Sequence, residues 1–92
     1  VSTAVASYEE GLHKALQDPA EAAAYLDAAL AEGDAQGFLL ALRDVAEARG
    51  MTNAARAANL NRENLYRTLA ATGNPQLSIL NALLHSLGLR LR

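Results

Sequence analysis

The chain has 92 residues, which suits one compact domain and no more, and it holds no Cys, so disulfides and thiolate metal sites are excluded. Ala (21) and Leu (17) supply most of its apolar content, while Val, Ile and Thr are few, a balance that favours helix over strand. The net charge of −2 is split unevenly: residues 1–34 carry seven acids against Lys14 and sum to −6, whereas residues 35–92 carry seven Arg against Asp44, Glu47 and Glu63 and sum to +4. In chain order, Tyr8, Leu12 and Leu16 fall at i, i+4 and i+8 and predict a short first helix, closed before Asp18-Pro19. Asp18 is placed to cap a second helix with Pro19 as its first residue, with Ala22, Tyr25, Leu26, Ala29 and Leu30 on one face and Gly33 at its end. Asp34 caps a third, with Phe38, Leu39, Leu42, Val45 and Ala46 inward, and Gly50 ends it. Thr52 is the expected cap of a short, Ala-rich fourth helix. Asn61 caps a fifth, with Leu65 and Leu69 inward. After Gly73, Asn74-Pro75 is expected to start a sixth helix, with Leu77, Leu80, Leu84 and Leu87 on one side and Ile79 and Leu83 beside them. Gly88 stops it, and LRLR follows in strand-like alternation.

These readings make an all-α fold of five to six short helices around a helix-turn-helix core of the lambda-repressor kind, with a short C-terminal strand. Residues 1–92 form a single domain, in which 1–33 are acidic helices and 34–92 hold the core and a dimerisation tail. One Phe, three Tyr and no Trp make a thin core, which dimerisation would help to stabilise. The wide stripe on the sixth helix and the tail supply the dimer seam: Ile79, Leu83, Leu87, Leu89 and Leu91. No apolar run approaches the ~20 residues that span a bilayer, and the N-terminus lacks a signal-peptide pattern, so no membrane contact and a bacterial cytoplasmic location are expected.

The segment MTNAARAANLNRENLYRTLA, Met51–Ala70, implies two short helices about a tight turn. Ala54, Ala55 and Ala58 let helices cross closely, and Leu60 can plug the space between them. Asn59 stands where the turn needs a positive φ, which Asn tolerates next best after Gly. This is the spacing of a DNA-binding helix-turn-helix. With Leu65 and Leu69 inward, Asn61, Arg62, Glu63, Asn64, Tyr66 and Arg67 face outward. Arg can read guanine and Asn adenine in bidentate fashion, and Tyr66 can meet a phosphate or a thymine methyl. Thr52 and Asn61 cap helix starts, where phosphate can be held. A face that is merely solvated usually carries Glu and Lys, and no Lys follows Lys14. His13 and His85 stand alone, with no second ligand at metal spacing, and no catalytic constellation is visible, so neither metal, cofactor, small-molecule substrate nor enzymatic activity is expected. A domain that binds only a partner helix is the competing use of the same face, and salt-dependent DNA binding separates the two.

The run GDAQGFLLALRDVAEARGMTNAARAANLNRENLYRTLAATGNPQLSILNALLHSLGLRL, with AAAYLDAALAEGD before it, resembles the probable addiction-module antidote proteins, HigA-like antitoxins of the Xre helix-turn-helix superfamily. The resemblance covers roughly residues 18–91. AAYLDAALAEGD, ALRDVAEARGM, LNRENLYRTL, GNP and LGLRL carry it together. The lead VSTAVASYEEGLHKAL differs from the shorter one such proteins have. The resemblance implies a homodimer on double-stranded operator DNA, repression of its own operon, and a small RelE-like ribonuclease toxin as partner. It carries the DNA-contact role onto Thr52, Asn53, Asn61, Arg62, Glu63, Asn64, Tyr66 and Arg67. Such a toxin is expected to be basic. The acidic segment before Asp34 would steer it, with Tyr8, Leu12 and Leu16 as anchors, and the chain shortened by residues 1–17 should keep the helix-turn-helix core. A stand-alone Xre-type repressor without a toxin is the alternative, and a toxin-like neighbouring reading frame tells the two apart.

Overall fold

The computed structural model describes residues 2–70 and 74–89, with side chains from Tyr8 onward. Among the described residues six helices follow one another: α1 (Ser2–Ala15), α2 (Pro19–Ala31), α3 (Ala35–Arg49), α4 (Met51–Ala57), α5 (Arg62–Thr68) and α6 (Leu77–Ser86). The architecture is all-α, and no strand occurs among the described residues. The expected strand falls largely on residues 90–92, as does Leu91, and these lie outside the described residues.

Helix boundaries follow local chemistry at several places. Asp18 and Asp34 accept hydrogen bonds from the Ala20 and Gln36 amides at 2.9 and 3.0 Å and so satisfy donors that the first turns of α2 and α3 leave free. Pro19 opens α2, where its missing N–H costs nothing. Gly50 ends α3 as expected, but the start of α4 differs from expectation. Gly50 alone separates α3 from α4, with φ 115°, a backbone that L side chains rarely adopt. Its N–H closes α3 on the Ala46 carbonyl and its carbonyl opens α4 to the Ala54 N–H. Thr52 is therefore not a cap. It is the second residue of α4 and exposed, because Met51 must enter the core (5 % exposed) and the helix begins with it. Likewise α6 starts at Leu77 rather than at Asn74-Pro75. Gln76 is its cap residue, without a side-chain cap bond, and Asn74 and Pro75 run as irregular backbone beside Phe38 and Leu39.

One core draws on every helix or its end: Leu16 after α1, Ala22 and Leu26 of α2, Phe38 through Ala48 along α3, Ala54 and Ala55 of α4, Leu65 of α5, and Leu83, Leu84 and Leu87 of α6. The helix α3 packs on α1, α2 and α4, and α4 in turn carries α5 and α6. Several apolar side chains expected to meet partners are used in this core. Leu16 is 2 % exposed, Leu83 fully buried and Leu87 nearly so. The stripe on α6 is divided: α6 lies against α4, Leu83 and Leu84 fill the chain's own interior, and Ile79 and Leu80 are only half-buried. Leu77, expected inward, is exposed at the first turn of α6. Removing residues 1–17 would take Leu16 from the core and the Gln17 carbonyl that Arg49 contacts at 3.4 Å, so the remaining core would not be left intact.

Between α2 and α3 the Tyr25 hydroxyl donates to Asp44 at 2.7 Å. Burial pushes the Tyr25 phenol up to about 12, with the hydrogen bond to Asp44, the Asp44 charge and Tyr8 adding to it. The folded state thus favours the neutral phenol. Its contribution is complete below the unfolded value near 10 and is lost as pH rises toward 12. Ultraviolet titration should show one tyrosine ionising near 12, and Tyr25→Phe should flatten the loss of stability across that alkaline window. A Tyr25 that ionises at its ordinary value would refute this.

Candidate nucleic-acid interface

The helices α4 and α5 meet in a turn held by backbone hydrogen bonds. Ala58 ends α4, Asn59 takes φ 61°, the Asn59 N–H bonds the Arg56 carbonyl at 3.0 Å, and the Leu60 N–H bonds the Ala55 carbonyl at 2.8 Å. This is a Schellman arrangement, with an Asn where Gly is commonest. Asn59 is the one non-Gly residue of positive φ among the described residues, as the sequence predicts for a turn this sharp. Leu60 then packs against the core beside buried Ala54 and Ala55. Asn61 follows as the α5 cap, its Oδ1 accepting from the Asn64 N–H at 2.7 Å. The arrangement is compatible with a helix-turn-helix.

The inward side of α5 is Leu65 and Leu69, both fully buried. Asn61, Arg62, Glu63, Asn64 and Arg67 are exposed together on the outside, and Thr52 and Asn53 are exposed on α4. Tyr66 is half-buried against the core, so its ring is a packing element. Arg67 is not free: it pairs with Glu63 one turn back at 3.6 Å, with both side chains more than 70 % exposed. Such a pair is worth only ~0.3–0.5 kcal/mol.

One residue joins this set that sequence spacing does not single out. Arg56, exposed on α4, lines an open groove of about 360 Å³ with Thr52, Asn59, Asn61 and Arg62. No carboxylate lines it. A signal exists, since Arg56 stands one turn after Thr52, but only the fold of the turn brings it beside Arg62. The groove is a cationic, hydrogen-bonding surface.

The dimer residues are distributed differently. Leu83 and Leu87 are internal, Ile79 is half-buried, and Leu89 is half-buried where its N–H bonds the Leu84 carbonyl at 2.8 Å after Gly88 (φ 76°). Of the α1 stripe, Leu12 packs on the core and Tyr8 is 71 % exposed. No helix among the described residues is long and apolar enough to cross a membrane.

The turn geometry generates its own test. Asn59→Gly should leave stability unchanged or slightly raised, whereas Asn59→Ala should cost about 1–2 kcal/mol, because a Cβ without a local hydrogen-bonding group is disfavoured at this φ. Urea unfolding midpoints compare the two, and equal midpoints would refute the assignment.

A family model described as "Probable addiction module antidote protein" matches residues 7–92. A protein of Haemophilus influenzae, itself described as uncharacterized, is 39 % identical over 66 residues, covering 72 % of this chain and 68 % of its own length. No solved structure matches. With α2 through α6 and most of α1 within the matched region, the chain belongs to the family of probable addiction-module antidote proteins, and an antidote implies a toxin as its partner.

Proposed function

We propose that this chain is the DNA-binding antitoxin of a type II toxin–antitoxin module. In this reading it neutralises a RelE-like ribonuclease toxin by direct binding and, as a HigA-like, Xre-type helix-turn-helix protein, represses its own operon. The observation that carries the DNA part is the outward face of α5 opposite buried Leu65 and Leu69, continued by Arg56 across the groove. The proposed unit is α4–turn–α5, with α5 as the recognition helix in the major groove of operator DNA. Arg62 and Arg67 read bases. Arg56 and Thr52 meet phosphates. Asn61 both caps α5 and offers its amide N–H₂ to the DNA. The Glu63 pair does not prevent Arg67 from reading a base, because a bidentate Arg–guanine contact, ~1–3 kcal/mol, outweighs an exposed ion pair. The charge split supports the two-partner reading. The basic half suits phosphate, and the acidic helices suit a partner that itself must bind RNA.

Fluorescence anisotropy with the chain's own promoter DNA tests this across salt concentrations. Arg62→Ala and Arg67→Ala should each cost about 1–3 kcal/mol and relax preference at one base pair. Arg56→Ala should weaken binding to all sequences alike and lower the salt slope by about 1. Full operator affinity in the Arg62→Ala/Arg67→Ala double variant would overturn the recognition-helix assignment.

A two-fold homodimer, proposed with this reading, would rest on Ile79 and Leu89, both still partly accessible, and on Leu91. It would set two recognition helices about 34 Å apart on a near-palindromic site. Sedimentation equilibrium should return a dimer at micromolar concentration, shifted toward monomer by Ile79→Lys. A monomer for the unaltered chain would refute it.

A further inference from the structure

Between the end of α2, the start of α3 and the segment entering α6 lies an open groove of about 430 Å³. Its walls include Leu30, Ala35, Phe38, Leu39, Pro75 and Leu80. Leu30 is 50 % exposed, and Leu77, two residues beyond Pro75, is 62 % exposed. Single exposed leucines are ordinary. A concave apolar wall with a half-exposed leucine on it has room for one or two apolar side chains of a partner.

The charges around the groove select its occupant. Asp34 lines it, Asp27 stands one turn before Leu30 on α2, and Glu32 follows Leu30 by two residues. The whole stretch from Asp18 to Asp34 holds five carboxylates and no Lys or Arg. A second copy of the chain seated groove to groove by a two-fold axis would bring these carboxylates against themselves. A partner whose apolar side chains are flanked by cations would instead gain on both counts, with apolar burial in the groove and opposite charge at its edge.

We infer that this groove is where the toxin docks, receiving one or two apolar side chains from a short segment flanked by Lys or Arg. The inference rests on the antitoxin reading and shifts the main contact from α1, whose Leu16 is spent in the core, to the α2–α3 corner. No residue of this groove lines the cationic groove at the α4–α5 turn, so toxin and DNA do not compete for the same side chains. A complex of all three is therefore expected.

Isothermal titration of the chain with the product of a toxin-like reading frame neighbouring its gene tests the assignment. Leu30→Lys and Ala35→Arg change exposed positions and should each weaken that binding at least tenfold, with the thermal midpoint and operator affinity unchanged. The charge-reversed pair Asp27→Lys/Glu32→Lys touches no core residue and should weaken binding several-fold, most at low salt. Unchanged binding in all three variants, with loss instead in Tyr8→Ala, would overturn the groove and leave the antitoxin reading standing. A Leu30→Lys variant that becomes monomeric while binding the neighbour normally would give the groove to a second copy, and would also overturn it. If the unaltered chain binds operator DNA but not the neighbouring protein, the antitoxin reading itself fails, and the groove assignment with it.

Discussion

The broad apolar face of α3 is the constraint from which the rest of the molecule follows. Seven of its side chains, Phe38, Leu39, Ala41, Leu42, Val45, Ala46 and Ala48, are buried along a helix of fifteen residues. A face this wide exceeds what one neighbouring helix can cover. Three are recruited: α2, joined through Gly33 and Asp34, α1, whose C-terminal end delivers Leu16, and α4, which leaves α3 at Gly50. Most of the buried core side chains among the described residues are Leu or Ala, and Phe38 is the single aromatic ring among them, so close approach of backbones replaces aromatic bulk. Such a core is sensitive to lost volume, since little in it can shift to fill a gap.

The exposed face of α5 depends on that same packing at one remove. Gly50 allows α4 to leave α3 without a loop, Ala54 and Ala55 let other helices approach α4, and the Asn59 turn sets the direction of α5. Leu65 and Leu69 then hold α5 by its inner side, which leaves its polar side chains on a short helix with a rigid base. Had the turn needed more residues, Arg56 and Arg62 would not line one groove.

Charge follows the same division. The acidic helices α1 and α2 lie against α3, while the Arg side chains of α4 and α5 lie past Gly50. A surface of one sign therefore adjoins the apolar groove at the α2–α3 corner, and a surface of the other sign adjoins the turn. Two partners of opposite charge can use such a molecule without contesting one patch, and each would be steered toward its own end.

Whatever depends on a few neighbouring residues is legible in the chain before it folds. Asp18, Asp34 and Asn61 cap helices because a short side-chain oxygen reaches an amide two or three residues on. Asn59 takes a positive φ because the turn is tight and Asn tolerates it, and the inner face of α5 follows from helical spacing. Which apolar side chains are buried inside the chain's own core is settled by packing instead. Leu16, Leu83 and Leu87 are buried and Leu30 and Leu77 are not, although periodicity treats them alike, because the difference lies in which element crosses at each point. The start of α4 at Met51 rather than after Thr52 is set by the core's demand for the Met51 side chain, which overrides a favourable cap residue. The place of Arg56 in the cationic groove has the same origin, since two residues six apart on different helices become neighbours only when the turn between them is folded.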